Sequence, residues 1–424
     1  MARTLTAVLL ALLALAAPAR AQEPSAQLRA SADQVVALLR GEAEPEAIFT
    51  PAFLAAVPAA QLRTFIGQLQ SEHGRALRVA RIDPRSQHAA AIEIETERAL
   101  VRMNLSVEAG PRHRIEGLLV TGADVRGDTL EAVAAELRAL PGQVSFAVAR
   151  LGDGAPELIG AIDPERPLAI GSTFKLILLA ELSRQVQAGE RRWNDVVTLD
   201  HRSLPSGQLQ NWPPGSPVTL HTLAALMISI SDNTATDTLL HQLGRERVER
   251  LMATLGLAAA GRNRPFLGTL ELFALKAATD ADFAAWRGAD EAGRRRLLDR
   301  YGAVRAETID PTLMVGRPLR IEAVEWFASA SDLVRVMDWL RRHGDETARA
   351  ILSISPGVAG GGSDGFAWLG FKGGSEPGVI NLTWLACGRG GGWRVVTGSW
   401  NDPDQPVDEA RFIGLMRRAL QLAR

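Results

Sequence analysis

Residues 172–186 read STFKLILLAELSRQV, and the rest of the chain is interpreted from this stretch. Ser172 and Lys175 are three residues apart, so on a helix they lie on one face within side-chain reach of each other. Gly171 is a natural break that places Ser172 in the first helical turn, where free backbone N–H groups and the helix dipole favour an alkoxide. The pattern predicts a buried helix that carries a candidate serine nucleophile at its start.

Lysine is rare in this chain, which makes its placement informative. Only Lys175, Lys276 and Lys372 occur among 47 lysine and arginine residues. A buried lysine can give up its proton because desolvation disfavours the ammonium form, whereas arginine stays charged. Burial against the apolar residues that follow would make Lys175 a base for Ser172. The same spacing also fits an exposed serine and lysine pair with no chemical role.

Composition limits the classes of function. The chain has 424 residues, 46% of them hydrophobic, which suffices for two or three domains. A formal net charge of −1 argues against nucleic acid or an anionic membrane as a partner. His73, His88 and His113 lack metal-ligand spacing, so neither a metal nor a cofactor is expected.

Residues 1–21 have the pattern of a secretory signal peptide. Arg3 precedes an apolar stretch at 5–17, and Ala-Arg-Ala at 19–21 forms a small-x-small cleavage site. The apolar stretch is too short to span a bilayer, and the residue directly after the cleavage site is Gln22, not a cysteine that could carry a lipid. We therefore expect a periplasmic or secreted protein with no membrane anchor after cleavage.

Residues 22–140 are predicted to form a small α+β accessory domain. Apolar residues recur with helical spacing from 27 to 71 and then alternate from 76 to 121, which indicates helices followed by about four strands. The helices would pack on one face of an antiparallel sheet, and a helix at 130–140 would join the next domain. No catalytic group of residues is evident here, so a binding or spacing role is expected.

Residues 141–424 are predicted to form a second domain with strands at both ends and helices between them. Two strands would form a hairpin that leads to Ser172, and three would follow the helices, at 144–149, 158–162, 366–371, 379–386 and 393–400. A polar loop at 198–218 could wall a cleft. The pattern predicts an antiparallel sheet assembled from both ends of the domain, with a helical lobe inserted, in an α+β or α/β class.

Two further motifs follow the first one in order. Ser231-Asp232-Asn233 lies where two helices meet, and such residues are most often helix caps. Lys372-Gly373-Gly374-Ser375 closes an apolar strand and could be a simple glycine turn. Their succession after Ser172 and Lys175 favours a functional interpretation of all three.

These three motifs resemble those of the penicillin-recognising serine enzymes, and of class A β-lactamases in particular. The resemblance covers residues 143–424 and implies a β-lactamase-like fold. It implies Ser172 as the nucleophile and Lys175 as its base or proton relay. Ser231 would pass a proton to the leaving nitrogen, and Lys372 would hold Ser231 and attract a substrate carboxylate.

The resemblance also implies a set of substrate-binding residues. Asn233 would hold the substrate amide together with Lys175. Gly374 and Ser375 would lie beside the substrate carbonyl, and the backbone N–H groups of Ser172 and Ser375 would form the oxyanion site.

The sequence departs from the class A pattern in two places. The Glu-x-x-Leu-Asn motif, whose glutamate activates the deacylating water in that family, is not found between Asn233 and Lys372. Glu325 or Glu322 could stand in for it, although an exposed or capping carboxylate ahead of the helix at Ser331 is the favoured interpretation of both. Gly373 occupies the position of a hydroxyl residue that normally contacts a penicillin carboxylate.

The resemblance implies hydrolysis of a small-molecule amide, above all a β-lactam, through an acyl-serine intermediate. One alternative is a peptidase or esterase that resembles penicillin-binding proteins, acts on a peptidoglycan-like amide or ester and turns β-lactams over slowly or not at all. Another is a binding protein of the same fold with weakened catalysis. The sequence does not indicate the oligomeric state.

Overall fold

The structure is a computed structural model of the 424-residue chain. It describes residues 23–110, 113–125, 127–301, 308–310, 312, 315–358 and 365–424. The predicted signal peptide lies outside the described residues. Among the described helices, none combines the length and the apolar character that crossing a bilayer demands.

The described chain divides into two compact units. The first comprises the described residues up to Arg63 together with Arg75–Asp124, and the second comprises Thr64–Gly74 and the described residues from Val125 onward. The expected domain boundary at residue 140 therefore falls inside the second unit. The reason is the helix Leu130–Arg138, whose Val133 and Leu137 are buried in the core of that unit.

Four helices and four strands make up the described N-terminal part of the chain, from residue 23 to residue 125. They are α1 (Ala26–Leu39), α2 (Pro45–Ile48), α3 (Pro51–Ala56), α4 (Ala59–His73), β1 (Ala76–Pro84), β2 (Ala89–Thr96), β3 (Ala99–Val107) and β4 (Ile115–Val125).

The first unit is the predicted helices-then-sheet arrangement. Its four strands lie in the order β1-β2-β3-β4, and β2 is antiparallel to both β1 and β3. Buried residues alternate along β2 and β3, as expected for strands with one face on a core. Helix α1 packs on the sheet and begins at Ser25, whose hydroxyl accepts a hydrogen bond from the Leu28 N–H.

The second unit contains the remaining helices and strands. They are α5 (Leu130–Arg138), β5 (Gln143–Leu151), β6 (Glu157–Ile162), β7 (Leu168–Ala169), α6 (Lys175–Gln187), β8 (Val196–Thr198), β9 (Pro217–Thr219), α7 (Leu220–Ser229), α8 (Asn233–Leu243), α9 (Arg245–Thr254), α10 (Thr269–Ala277), α11 (Asp280–Gly288), α12 (Glu291–Tyr301), β10 (Phe327–Ala328), α13 (Ala330–His343), α14 (Glu346–Leu352), β11 (Phe366–Glu376), β12 (Val379–Gly388), β13 (Trp393–Asn401) and α15 (Glu409–Leu422).

The sheet of the second unit is built from both ends of that part of the chain, as the sequence predicts. Its order is β11-β12-β13-β5-β6, and every neighbouring pair is antiparallel. Strand β5 joins the C-terminal strand β13, with Ala147 opposite Thr397. The predicted α+β fold with an inserted helical lobe is confirmed.

Apolar cores lie on both faces of this sheet. Ala147 and Ala149 of β5 face the helical lobe, whereas Phe146 and Val148 face α5 and α15. Helix α6 is buried nearly all round within the lobe, which explains the continuous apolar run after Lys175. The helix that follows the candidate nucleophile is thus fixed on every side.

Candidate active site

The candidate nucleophile lies on a short turn that leads into the central helix. Gly171–Phe174 forms a single 3-10 turn that continues directly into α6. Gly171 has a φ angle of 48°, a conformation that residues with side chains rarely adopt. Ser172 is half-buried, whereas Gly171 and Thr173 on either side are buried. The turn therefore exposes Ser172 in preference to its neighbours.

Lys175 is completely buried at the start of α6. Its Nζ donates to the Ser231 carbonyl at 2.7 Å, to Ser231 Oγ at 2.9 Å and to Asn233 Oδ1 at 2.8 Å. Burial holds the pKa of Lys175 well below its usual range, and the charge of Lys372 lowers this pKa further. In the neutral form two acceptors take the two N–H groups, and the Ser231 hydroxyl can donate to the lone pair.

Ser231 occupies the junction between α7 and α8 in a strained conformation. Its φ angle is 59°, in the left-handed region that residues other than glycine seldom enter. Such strain persists only where surrounding contacts impose it, and it is common at functional sites. Here both the carbonyl and the hydroxyl of Ser231 face Lys175.

Lys372 approaches the same hydroxyl from the sheet. It lies on β11 opposite Thr383, is 4% exposed, and its Nζ donates to Ser231 Oγ at 3.2 Å and to the Gly373 carbonyl at 2.6 Å. Burial lowers the pKa of Lys372 to about 7. The Ser231 hydroxyl therefore lies between two buried amines, Lys175 and Lys372.

The end of β11 packs directly against the Ser172 turn. A Cβ atom added to Gly374 would lie 2.4 Å from the Ser172 nitrogen and 2.4 Å from the Ile170 carbonyl oxygen. A Cβ atom added to Gly171 would lie 3.2 Å from the Ser375 nitrogen. Glycine at both positions allows the backbone nitrogens of Ser172 and Ser375 to approach each other, as an oxyanion site requires.

The α-helical spacing predicts a direct hydrogen bond between the side chains of Ser172 and Lys175. The structure shows a different arrangement. Among the described residues, no hydrogen bond joins the Ser172 hydroxyl to Lys175, whose three bonds go to Ser231 and Asn233. The reason is that Ser172 precedes α6 on a 3-10 turn. Lys175 must release one of its present partners before it can take the Ser172 proton.

Asn233 and Asp232 attach a polar loop to the site. The Asn233 N–H donates to the Ser206 carbonyl at 2.9 Å, while its Nδ2 donates to the Leu204 carbonyl at 3.3 Å. Asp232 caps α8 through Ala235, as its sequence position indicates.

Asp232 also has a second role that the sequence did not indicate. Its Oδ2 accepts from the Gln208 and Leu209 N–H groups at 2.6 and 2.9 Å. A Cβ atom at Gly207 would lie 2.3 Å from the Asp232 carboxyl carbon. That glycine, in an otherwise irregular loop, was the only available sign of the close approach.

The two glutamates proposed as deacylation bases lie in different environments. Glu325 is 4% exposed, and its carboxylate accepts a hydrogen bond from Lys276 at 2.8 Å. Glu322 is exposed, and its carbonyl accepts a hydrogen bond from Arg262 at 2.9 Å. Among the described residues, neither carboxylate bonds to the side chains of the three motifs, so their role as bases stays a prediction.

Comparisons with known proteins agree with the motif resemblance. Residues 128–296, which include Ser172 and Ser231, match the model of the Beta-lactamase enzyme family. No match was found among curated proteins. The predicted resemblance to the β-lactamases is confirmed.

Three solved structures show what the chain is similar to. A β-lactamase from Sphaerobacter thermophilus DSM 20745 is 24% identical, with 69% of this chain and 95% of that chain covered and a TM-score of 0.49. The protein PBP-A is 17% identical, with 69% and 94% covered and a TM-score of 0.47. A β-lactamase from Desulfarculus baarsii DSM 2075 is 18% identical, with 70% and 98% covered and a TM-score of 0.47.

The family match falls on the part of the second unit that carries two of the three motifs. It supports a serine hydrolase that resembles the penicillin-recognising enzymes. The three motifs come from the Ser172 turn, the junction between α7 and α8, and strand β11.

Proposed function

We propose that this protein hydrolyses a β-lactam amide bond through an acyl-serine intermediate formed on Ser172. The observation that carries the proposal is the Ser231 hydroxyl, held between the buried amines of Lys175 and Lys372. This arrangement allows the Ser231 oxygen both to donate a proton and to accept one from a neighbouring amine. It has no evident purpose in a protein that only binds a ligand.

Acylation can be written with the protons balanced. Ser172 Oγ attacks the carbonyl carbon and loses its proton to neutral Lys175 once Lys175 releases a partner. The N–H groups of Ser172 and Ser375 stabilise the oxyanion. As the C–N bond breaks, the Ser231 hydroxyl protonates the leaving nitrogen and regains a proton from Lys175 along their 2.9 Å hydrogen bond. The proton from Ser172 thus ends on the amine.

Lys372 contributes charge and position. Its pKa near 7 leaves it largely cationic in mildly acidic solution, where it attracts a substrate carboxylate. Gly373 provides no hydroxyl beside it, so a carboxylate has one fewer donor than in the class A pattern. We infer weaker binding of penicillin carboxylates than that pattern would give.

A second candidate function is that of an esterase or peptidase on peptidoglycan-like substrates, with slow β-lactam turnover. It is favoured by Glu325, whose carboxylate accepts a hydrogen bond from Lys276 and, among the described residues, bonds to no side chain of the three motifs. The substrate that the protein turns over efficiently would then be an ester or a peptide. A binding protein with weakened catalysis is the remaining alternative.

Labelling with a fluorescent penicillin separates these functions. We expect a labelled band for the native protein and none for Ser172→Ala. Rapid nitrocefin turnover would identify a β-lactamase, whereas a long-lived label with turnover of a simple ester would identify the esterase. Failure of both penicillin and a fluorophosphonate probe to label Ser172 would exclude the enzymatic proposals.

We also propose that the mature protein is periplasmic or secreted, on the basis of residues 1–21. Fractionation of cells expressing the full chain checks this. The protein should appear outside the cytoplasm with its first residue at position 22. Recovery in the cytoplasm with residues 1–21 still present would contradict the proposal.

A further inference from the structure

The third lysine of the chain, Lys276, is buried and belongs to none of the three motifs. Lys276 on α10 donates from Nζ to Glu325 at 2.8 Å and also to Glu376. The side chains of Lys276 and Glu325 are each 1% exposed, and that of Glu376 is 15% exposed. Glu376 and Glu325 also hydrogen-bond each other. We call these three side chains the Lys276 cluster.

The pKa of Glu376 is altered by its position in this cluster. Burial raises the pKa of Glu376 well above its usual range, and the neighbouring Glu325 carboxylate raises it further. The raised pKa favours a neutral Glu376 that donates a hydrogen bond to Glu325. Buried ion pairs often give no more stability than an apolar replacement would. The role of this cluster is therefore to be found in the segments that it holds in position.

Glu325 is bonded to the segment that supports the Ser172 turn. Its Oε2 accepts from the Trp326 N–H at 3.2 Å, and the Trp326 carbonyl accepts from the Ile170 N–H at 3.0 Å. The Trp326 ring stacks on Phe174 with a centroid distance of 3.7 Å and an interplanar angle of 14°. Movement of Glu325 would therefore be transmitted to both ends of the turn.

Glu376 is joined to the other half of the oxyanion site. It directly follows Ser375 on β11, and its backbone pairs with Val379 on β12. Lys276 thus links Glu325, which precedes β10 and adjoins the Trp326 contact with Ile170, to Glu376, which follows Ser375 on β11. No part of the cluster bonds to Lys175, Ser231 or Lys372 among the described residues.

We propose that Lys276, Glu325 and Glu376 act as positioning residues that fix the separation of the Ser172 and Ser375 N–H groups. This inference rests on the proposed function, because it assigns the cluster to the oxyanion site of that reaction. A displacement of about 1 Å at such a site can cost roughly 100-fold in rate. The cluster would therefore affect the transition state more than substrate binding.

The test compares variants of Lys276 and Glu376 in the full protein. Lys276→Met keeps the length of the side chain and removes the cation. Glu376→Gln keeps a neutral group that accepts from Lys276 and donates to Glu325, whereas Glu376→Leu removes both bonds. The control is Glu271→Gln on the same helix, which weakens a 2.7 Å ion pair with Arg245 outside the cluster.

Two measurements report on the oxyanion site. We expect Lys276→Met and Glu376→Leu to lower kcat for an ester substrate by about 10–100-fold, with KM changed less than about threefold. Affinity for a phenylboronic acid, which forms a tetrahedral adduct with Ser172, should fall in parallel. Glu376→Gln and Glu271→Gln should keep kcat within about threefold of the native protein.

The outcomes distinguish the inference from the proposed function. If Lys276→Met fails to fold, the comparison of Glu376→Leu with Glu376→Gln gives the decision alone. Native-like kcat and boronate affinity in Glu376→Leu, or equal losses in Glu376→Gln and Glu376→Leu, would overturn the positioning role. Absence of acylation and of boronate binding in the native protein would instead overturn the proposed function.

Discussion

Lys175 and Lys372 are two buried lysines with lowered pKa values, and both face the Ser231 hydroxyl. We expect Lys175 to set the pH dependence of kcat and Lys372 to set that of carboxylate binding. Lys175 must be neutral to accept a proton, so kcat should fall as the solution is acidified through its lowered pKa. Lys372 has a pKa of about 7 and loses its charge as the pH rises past that value. Its attraction for a substrate carboxylate should be lost in the same range.

A matched pair of substrates tests this division. We expect KM of a carboxylate-bearing β-lactam to rise above pH 7, because Lys372 becomes neutral. KM of an uncharged phenyl ester should stay flat over the same range, while both substrates share the acid limb in kcat. An equal alkaline rise in KM for both substrates would show that the charge of Lys372 is not used for binding.

Lys372 should also reduce stability. Its pKa is about 7 in the folded chain and about 10.4 in the unfolded chain, so the unfolded state binds more protons between these values. The free energy of unfolding therefore rises with pH across this window. Below about pH 7 the full cost of a buried ammonium remains.

The corresponding variant is Lys372→Met. We expect it to lose activity and to gain about 0.5–2 kcal/mol in the free energy of unfolding at pH 6. The gain should shrink at pH 9, and denaturant titrations at the two pH values measure it. Lys276→Met is the control and should be less stable than the native protein, because it leaves the buried Glu325 without its cation. A destabilised Lys372→Met at pH 6 would contradict this account.

At the scale of elements, the approach of β11 to the Ser172 turn requires Gly374. A methyl group there would lie 2.4 Å from the Ser172 nitrogen, so Gly374→Ala must move the strand or the turn. We expect kcat to fall about 100-fold. Gly160→Ala on β6 is the control, since its methyl group would meet Leu130 at an ordinary 3.7 Å. Equal kcat in the two variants would argue against an oxyanion site at this junction.

The loop beside the site depends on one carboxylate. Asp232→Asn should lose about 1–3 kcal/mol in the free energy of unfolding, because its second oxygen accepts from the Gln208 and Leu209 N–H groups. Asp408→Asn is a matched control, because Asp408 caps α15 through the Arg411 N–H and, within the described parts of the chain, no second backbone N–H donates to its carboxylate. Thermal melts should show the larger loss for Asp232→Asn. Equal losses would mean that the loop contributes nothing to stability.

For the molecule as a whole, the sequence predicted what depends on local pattern. Alternating apolar residues identified the hairpin of β5 and β6 and the three C-terminal strands, and hence the antiparallel sheet. The family's motif spacing then indicated that the three motifs meet. The network of Lys276, Glu325 and Glu376 was not predicted, because its members are far apart in the chain and share no local pattern.

Two expectations differ from the structure: the direct pairing of Ser172 with Lys175 and the domain boundary at residue 140. Both depended on where a helix starts or a domain ends. The 3-10 turn before α6 separates Ser172 from the helical register that suggested direct pairing with Lys175. Helix α5 buries its apolar face in the second unit, so the division between the units lies before it. Neither feature follows from residue spacing alone, because both are decided by tertiary packing.

The proposed function depends on acylation of Ser172, which intact-protein mass spectrometry after a short pulse of a β-lactam detects. We expect an adduct with the mass of the whole β-lactam on the native protein and none on Ser172→Ala, and the decay of that adduct gives the deacylation rate. An unmodified native protein, or an equal adduct on Ser172→Ala, would contradict the proposed function.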